Sequence, residues 1–286
     1  MNPLLWRGQG EAKQFKSIMQ LNQIIGQVIN VSKEAGQFIR QERKTFDADK
    51  IEYKGLNDLV SYVDKTAEQK IVAGLELIVP EAGFITEEKT STKIGERYNW
   101  IIDPLDGTTN FIHGLPTYSV SIALQDNDEL VLGVVYEVNQ DECFYAHKDA
   151  PAYLNGAEIK VSNKPTIADS LIATGFPYYD FSYQEAYIKL FTELMRNCHG
   201  LRRIGSAAVD LAYTAAGRFE AFYEYNLNPW DIAAGIVIVQ QAGGEIVNFK
   251  GGSEVLKSRE LLATNGKITG EMLEYIEKYF TVNVKK

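Results

Sequence analysis

Residues Trp100 to His113 read Trp-Ile-Ile-Asp-Pro-Leu-Asp-Gly-Thr-Thr-Asn-Phe-Ile-His. An apolar, strand-like run ends in two aspartates, Asp103 and Asp106, and Gly107-Thr108-Thr109 follows at once. This order constrains the fold, because it places two carboxylates at the mouth of a sheet and opens a helix beside them. The free N–H groups of such a helix start accept a phosphate. Two carboxylates this close repel each other unless cations lie between them. The segment therefore points to metal-assisted phosphate chemistry.

The rest of the chain supplies a scaffold. Its 286 residues are 45% hydrophobic, enough for one large domain or two tightly joined halves. Ile18, Leu21, Ile25, Val28, Ala35 and Ile39 mark an amphipathic helix running to about Arg43, preceded by a loose tail over 1–18. Lys65 to Val79 is a second helix with Asp64 as its N-cap. Strands are predicted at 84–86, 100–102, 118–125, 130–137, 142–147, 170–175, 221–225, 245–249 and 261–264. Helices are predicted at 184–198, 207–216, 232–242 and 269–279, with Asp231 capping the third of these. Mixed strands with helices between them fit an α+β or α/β sandwich.

Composition excludes several classes. The net charge of −9 argues against a general nucleic-acid binder. Only two cysteines are present, Cys143 and Cys198, and neither belongs to a metal-binding or disulfide pattern. No signal peptide is read and no apolar run is long enough to span a bilayer. The expectation is a soluble, cytoplasmic protein with neither nucleic acid nor membrane as a partner.

Four acidic motifs lie at the ends of predicted elements: Asp58 to Asp64, Glu87-Glu88, Asp103-x-x-Asp106 and Trp230-Asp231. An isolated acidic pair is usually a solvated turn or a cap. Four of them at element mouths, beside Gly107-Thr108-Thr109, point to one shared site. His113 reads as a surface or packing residue, and Glu88 as a carboxylate outside the first ligand set.

The chain resembles the inositol monophosphatase family of Mg²⁺-dependent, lithium-sensitive phosphatases. The likeness runs from about residue 20 to 280. It is carried by Asp-Pro-Leu-Asp-Gly-Thr-Thr-Asn-Phe at 103–111, by Trp-Asp-Ile-Ala-Ala-Gly at 230–235 followed by Gln-Gln-Ala-Gly-Gly at 240–244, and by Arg-Arg-Ile-Gly-Ser-Ala-Ala-Val-Asp-Leu-Ala-Tyr at 202–213. The resemblance implies an α-β-α-β-α sandwich with the site between two halves, 19–165 and 166–286, which together form one phosphatase domain. It implies two to three Mg²⁺ ions: Glu87, Asp103 and the Leu105 carbonyl on the first, Asp103, Asp106 and Asp231 on the second, Glu87 again on a third. Gly107 and Thr108 would hold phosphate. Thr108 and Glu87 would orient a metal-activated water, with Asp64 completing the network, and hydrolysis would pass through no covalent intermediate.

Substrates in the family differ. Glu224, with Gly205, Ser206, Ala207, Asp106 and Asp231, would line the alcohol part of an inositol monophosphate. A fructose 1,6-bisphosphatase, a 3′(2′),5′-bisphosphate nucleotidase and a non-catalytic regulatory protein are the alternatives. A small-molecule phosphate monoester is the expected partner, and a homodimer the expected assembly. Three departures from the family pattern stand out, the first being a long N-terminal extension. Thr86 replaces a glycine common before Glu87, and the segment Lys54-Gly55-Leu56-Asn57 is short.

Overall fold

The computed structural model describes residues 3–46, 51–55, 58–177 and 180–280, with side chains described for 21–46, 61–177 and 180–280. The chain opens with α1 (Pro3–Lys44), a hairpin of β1 (Ile51–Gly55) and β2 (Asp58–Ser61), and α2 (Tyr62–Ile78). A seven-stranded sheet follows. Its strands are β3 (Gly83–Thr86), β4 (Tyr98–Asp106), β5 (Ser119–Asp126), β6 (Glu129–Glu137), β7 (Glu142–His147), β8 (Ala152–Leu154) and β9 (Ala157–Ile159), ordered as they occur in the chain. The short helix α3 (Thr108–His113) interrupts it after β4. β3 and β4 are parallel and the other neighbours antiparallel.

The second sheet has five strands in the order β11 (Gly200–Arg202), β10 (Leu171–Thr174), β12 (Ala221–Tyr225), β14 (Glu260–Thr264), β13 (Glu245–Val247). Its helices are α4 (Gln184–Asn197), α5 (Ala207–Ala215), α6 (Pro229–Gln241), α7 (Val255–Ser258) and α8 (Thr269–Phe280).

Three apolar cores define five layers. One lies between α1, α2 and the first sheet, with Val28, Ile39, Ile71, Leu75, Trp100 and Ile102. The second holds α5 and α6 between the two sheets, with Ile101, Ala123, Leu211, Val237, Ile238 and Phe222. The third packs α4 and α8 on the outer face of the second sheet, with Leu190, Leu194, Tyr223, Leu262 and Met272. This is the α-β-α-β-α sandwich. Strand alternation sorts the faces: Trp100 and Ile102 point outward to α1 and α2, while Ile101 points to the middle layer. The middle helix α6 is buried from Ile232 to Val239, as an unbroken apolar stretch demands.

The structure differs from the sequence reading in three places. First, the residues expected as a loose tail continue α1 back to Pro3. The stretch Glu11 to Met19 lacks an apolar stripe but consists mostly of good helix formers, and extending a formed helix costs little beyond the nucleus. Second, neither Asp64 nor Asp231 is an N-cap. Ser61 caps α2 and Asn228 caps α6, and each aspartate sits at N3, where its carboxylate closes a capping box. Third, β4 does not stop before the aspartates but runs through them to Asp106.

Among the described residues no helix is long and apolar enough to cross a membrane. Cys143 and Cys198 are free thiols.

Candidate active site

A bulge in β4 builds the acidic motif. Asp103 pairs with Ser121 of β5 and Asp106 with Ser119, so three steps on one strand match two on the other. Pro104 has no N–H for the ladder, and the extra residue is absorbed at Pro104-Leu105. Residues three apart in a regular strand face opposite ways. Here the bulge restores the parity, because Ser119 and Ser121 are two apart and share a face. Asp103 and Asp106 therefore both face the middle layer, on the side of Ile101. The Leu105 N–H donates to Asp103 Oδ1 at 3.0 Å, fixing the turn.

Helices α5 and α6 both begin here. Ser206, the N-cap of α5, donates its hydroxyl to Asp106 Oδ2 at 2.6 Å, and the Ala208 N–H donates to the same oxygen at 2.7 Å. Asp106 thus occupies the positive end of α5. Ser119 and Ser206 hydroxyls lie 3.2 Å apart, and the Ser121 hydroxyl donates to the Trp230 carbonyl at 3.3 Å. The β4–β5 pair is tied in this way to the starts of both helices, β4 to α5 through Asp106 and β5 to α6 through Ser121. Asp231 Oδ2 accepts from the Asn228 N–H at 2.6 Å.

On the other side of β4, Asp64 Oδ2 accepts from the Ser61 N–H at 2.9 Å and from the Ser61 hydroxyl at 2.7 Å. Its Oδ1 lies 2.9 Å from the Thr108 hydroxyl, which is also 2.9 Å from the Leu105 carbonyl. Gly107, at φ +96°, makes the left-handed turn into α3. Asn110 donates to the carbonyls of Thr117, at 2.7 Å, and Ile204, at 2.8 Å. It thereby holds α3 against the loop of Gly205, whose φ of +96° also requires glycine.

Electrostatics mark the cluster. Burial pushes the Asp103 carboxyl well above its usual range, and Glu87, Asp106 and Asp231 push it further. Asp231 is raised well above its ordinary value by burial, then by Asp106 and Glu87. Asp106 rises only to about 6, because the Ser206 and Ala208 bonds and the Arg203 charge oppose its burial. Asp64 is raised by burial against the bonds from Ser61 and Thr108. Glu224 rises to about 8 through burial, with Arg203 opposing and Asp106 adding. On β12, Glu224 shares the face of Phe222, which points to the middle layer, so it approaches the aspartates from the second sheet.

Mg²⁺ takes hard oxygen ligands and keeps several waters. Asp103, Asp106, Asp231, Glu87 and the Leu105 carbonyl form a donor set of that kind. Their shared repulsion is relieved by added positive charge. Among the described residues no three acidic, histidine or cysteine side chains stand close enough to form a ready cage.

Sequence reading placed Gly205, Ser206 and Ala207 on the substrate. The structure puts the Ser206 hydroxyl on Asp106 and Ala207 in the first turn of α5. His113 is exposed. The side chains of Lys54 and Asp58 lie outside the described residues. Residues that sequence reasoning passed over are Asp210, buried with one unpartnered carboxylate oxygen and raised well above its usual range by burial, then by Glu224 and Asp106; Arg203; and Gly175, which lies against Glu224. The Thr86 hydroxyl, at the position of the family's glycine, is buried without a hydrogen-bond partner.

The family model described as the inositol monophosphatase family matches residues 20–281. A relative from Escherichia coli K12, called Nus factor SuhB, is 39% identical over 246 residues, covering 86% of this chain and 92% of that protein. The crystal structure of extragenic suppressor protein suhB from Bartonella henselae superposes with a TM-score of 0.84 at 35% identity, covering 89% of this chain and 98% of the other. The Thermotoga maritima IMPase superposes with a TM-score of 0.81 at 31% identity, covering 89% and 96%.

Proposed function

The chain belongs to the inositol monophosphatase family, and from that premise we propose that it hydrolyses phosphate monoesters with Mg²⁺, its preferred substrate an inositol monophosphate. The observation that carries this reading is the bulge that turns Asp103 and Asp106 to one face, where α5 and α6 begin and Glu224 approaches from the second sheet.

The chain's own groups divide the work. Mg²⁺, when held by Glu87, Asp103, Asp106, Asp231 and the Leu105 carbonyl, supplies Lewis-acid activation of water and neutralises charge on phosphate and leaving alcohol. The Thr108 hydroxyl has one hydrogen and two acceptors in reach, Asp64 Oδ1 and the Leu105 carbonyl. If the Leu105 carbonyl served as a metal ligand, the Thr108 hydrogen would go to Asp64. The Thr108 oxygen is then free to accept a hydrogen from the attacking water and orient it. Backbone N–H groups of Gly107 and Thr108 hold the phosphate oxygens. No side chain need become phosphorylated. Glu224 accepts hydroxyl hydrogens from the alcohol ring, and Gly205, Ser206 and Ala207 bound its other side. Polyol recognition by a carboxylate is only modestly selective, so related sugar phosphates belong to the same test. Family relatives make a homodimer the expected assembly.

The test is phosphate release by the purified chain, with and without Mg²⁺, from inositol 1-phosphate, fructose 1,6-bisphosphate and 3′-phosphoadenosine 5′-phosphate. A Mg²⁺-dependent preference for inositol 1-phosphate in kcat/KM, inhibited by millimolar Li⁺, is expected. A preference for another ester would keep the metal chemistry and overturn the role of Glu224.

The names of the relatives favour a second reading. Proteins called Nus factor SuhB or putative Nus factor SuhB match this chain in sequence over nearly their whole length, so a transcription-related role beside or in place of catalysis is the second reading. Folded chain, Mg²⁺ present, and no release from any of the three esters would favour it.

A further inference from the structure

Glu68 is a carboxylate where the core pattern of α2 calls for an apolar side chain. It lies one turn beyond Asp64, on the stripe continued by Ile71 and Leu75, and it is fully buried. A buried carboxylate is costly unless its oxygens are satisfied. Those of Glu68 are satisfied by a single loop. Its Oε2 accepts from the Glu88 N–H at 2.8 Å. Its Oε1 accepts from the Thr90 N–H at 2.8 Å and from the Thr90 hydroxyl at 2.7 Å. The loop leaves β3 after Thr86 and begins with Glu87, whose N–H donates to the Ile102 carbonyl at 3.3 Å, next to Asp103. Glu87 is therefore gripped on both sides, by β4 through its own N–H and by α2 through that of its neighbour.

We propose that Glu68 is the positioning residue for Glu87, and that by fixing the backbone just beyond it Glu68 sets the affinity of the acidic site for divalent metal. The inference rests on the metal-dependent reading above. One face of α2 then serves two parts of the site, with Asp64 holding Thr108 and Glu68 holding the loop of Glu87. Partners one step outside the ligands orient them, and their loss weakens metal binding by about 10–100-fold.

Glu68→Gln is the sharp variant. It keeps size and shape, but its amide NH₂ must face an N–H of the loop, donor against donor. The measurements, on the full chain, are Mn²⁺ affinity by calorimetry, the Mg²⁺ concentration for half-maximal phosphate release, and the melting temperature without metal. Both metal constants are expected to rise about 10-fold or more, with turnover at saturating Mg²⁺ largely kept. Thr90→Val, which removes one of the three donors, shifts them the same way by less. Folded Glu68→Gln with a lowered melting temperature and unchanged metal constants would overturn the proposal and leave Glu68 a structural residue. If Glu68→Gln does not fold, unchanged metal constants in Thr90→Val overturn it equally. Wild-type chain that binds no Mn²⁺ and releases no phosphate would instead overturn the metal-dependent reading, and this inference with it.

Discussion

The carboxylate of Glu224 fills the space that a side chain at Gly175 would need: a Cβ there would lie 1.9 Å from Glu224 Oε2 and 2.1 Å from its Cδ. Gly175 follows the end of β10, the neighbour of β12 in the second sheet. Gly175→Ala must therefore move Glu224. With Glu224 titrating at about 8, a lost hydrogen bond to it costs about 0.5–1.5 kcal/mol, so KM for inositol 1-phosphate should rise by about 2-fold to tenfold near neutral pH. The Mg²⁺ dependence should stay as it was. An unchanged KM would separate Glu224 from substrate binding.

Asp103→Asn keeps the oxygen that accepts from Leu105 and removes a charge that Glu87, Asp106 and Asp231 oppose. Metal-free protein should melt at the same temperature or higher. Phosphate release should fall by more than the roughly 10–100-fold typical of groups one step outside the ligands. Near-normal turnover in this variant would sink the metal assignment.

Ser206→Ala removes three bonds at once, the 2.6 Å donation to Asp106, the cap on the Val209 N–H at 3.3 Å and the 3.2 Å contact with the Ser119 hydroxyl. Loss of an N-cap costs about 1 kcal/mol. Without the Ser206 hydroxyl the Asp106 carboxyl should titrate above its present value of about 6, and Mg²⁺ should bind more weakly near that pH. Melting curves and Mg²⁺ titrations at two pH values read both effects.

Raised carboxyl pKa values fix the sign of the pH response. Glu224 titrates at about 8 in the fold against an ordinary 4.5, so the folded protein holds this proton more tightly than the unfolded chain. Its contribution is fully present below the ordinary value and is lost as pH rises through about 8. Asp106 behaves alike, up to about 6. Metal-free protein should lose stability across this window, by at most about 1.4 kcal/mol per pH unit for each proton. Mg²⁺ competes with those protons at Asp106, so its stabilising effect should grow with pH. Glu224→Gln should flatten the upper part of the metal-free curve. Melting temperatures in EDTA that climb steadily over the same range would contradict the assignment.

Much of this was legible in the chain. Period-2 and period-3.6 patterns located most strands and helices, and Asp-Pro-Leu-Asp-Gly-Thr-Thr marked the candidate site. The caps were misread because Ser61 and Asn228 stand three residues before acids that are themselves good caps, and only the geometry decides which end of a capping box a residue occupies. The bulge was written in Pro104, yet its effect on the facing of Asp106 depends on pairing with β5. Gly175 and Arg203 act on Glu224 across tens of residues, and no local spacing announces that. Glu68 did leave a trace, an acid on the apolar stripe of α2.

The middle layer has a consequence for how such a chain can change. The clustered aspartates Asp103 and Asp106 belong to the first sheet, Glu224 belongs to the second, and α5 and α6 between them join the two. On the function proposed above, breaking the ester and choosing the alcohol fall to different sheets. Replacements along β10 and β12 could retune which alcohol is accepted while the bond-breaking apparatus stays intact. A chain folded in only one of its sheets would bring neither group to its place, because the aspartates and Glu224 meet only where both sheets face the middle layer.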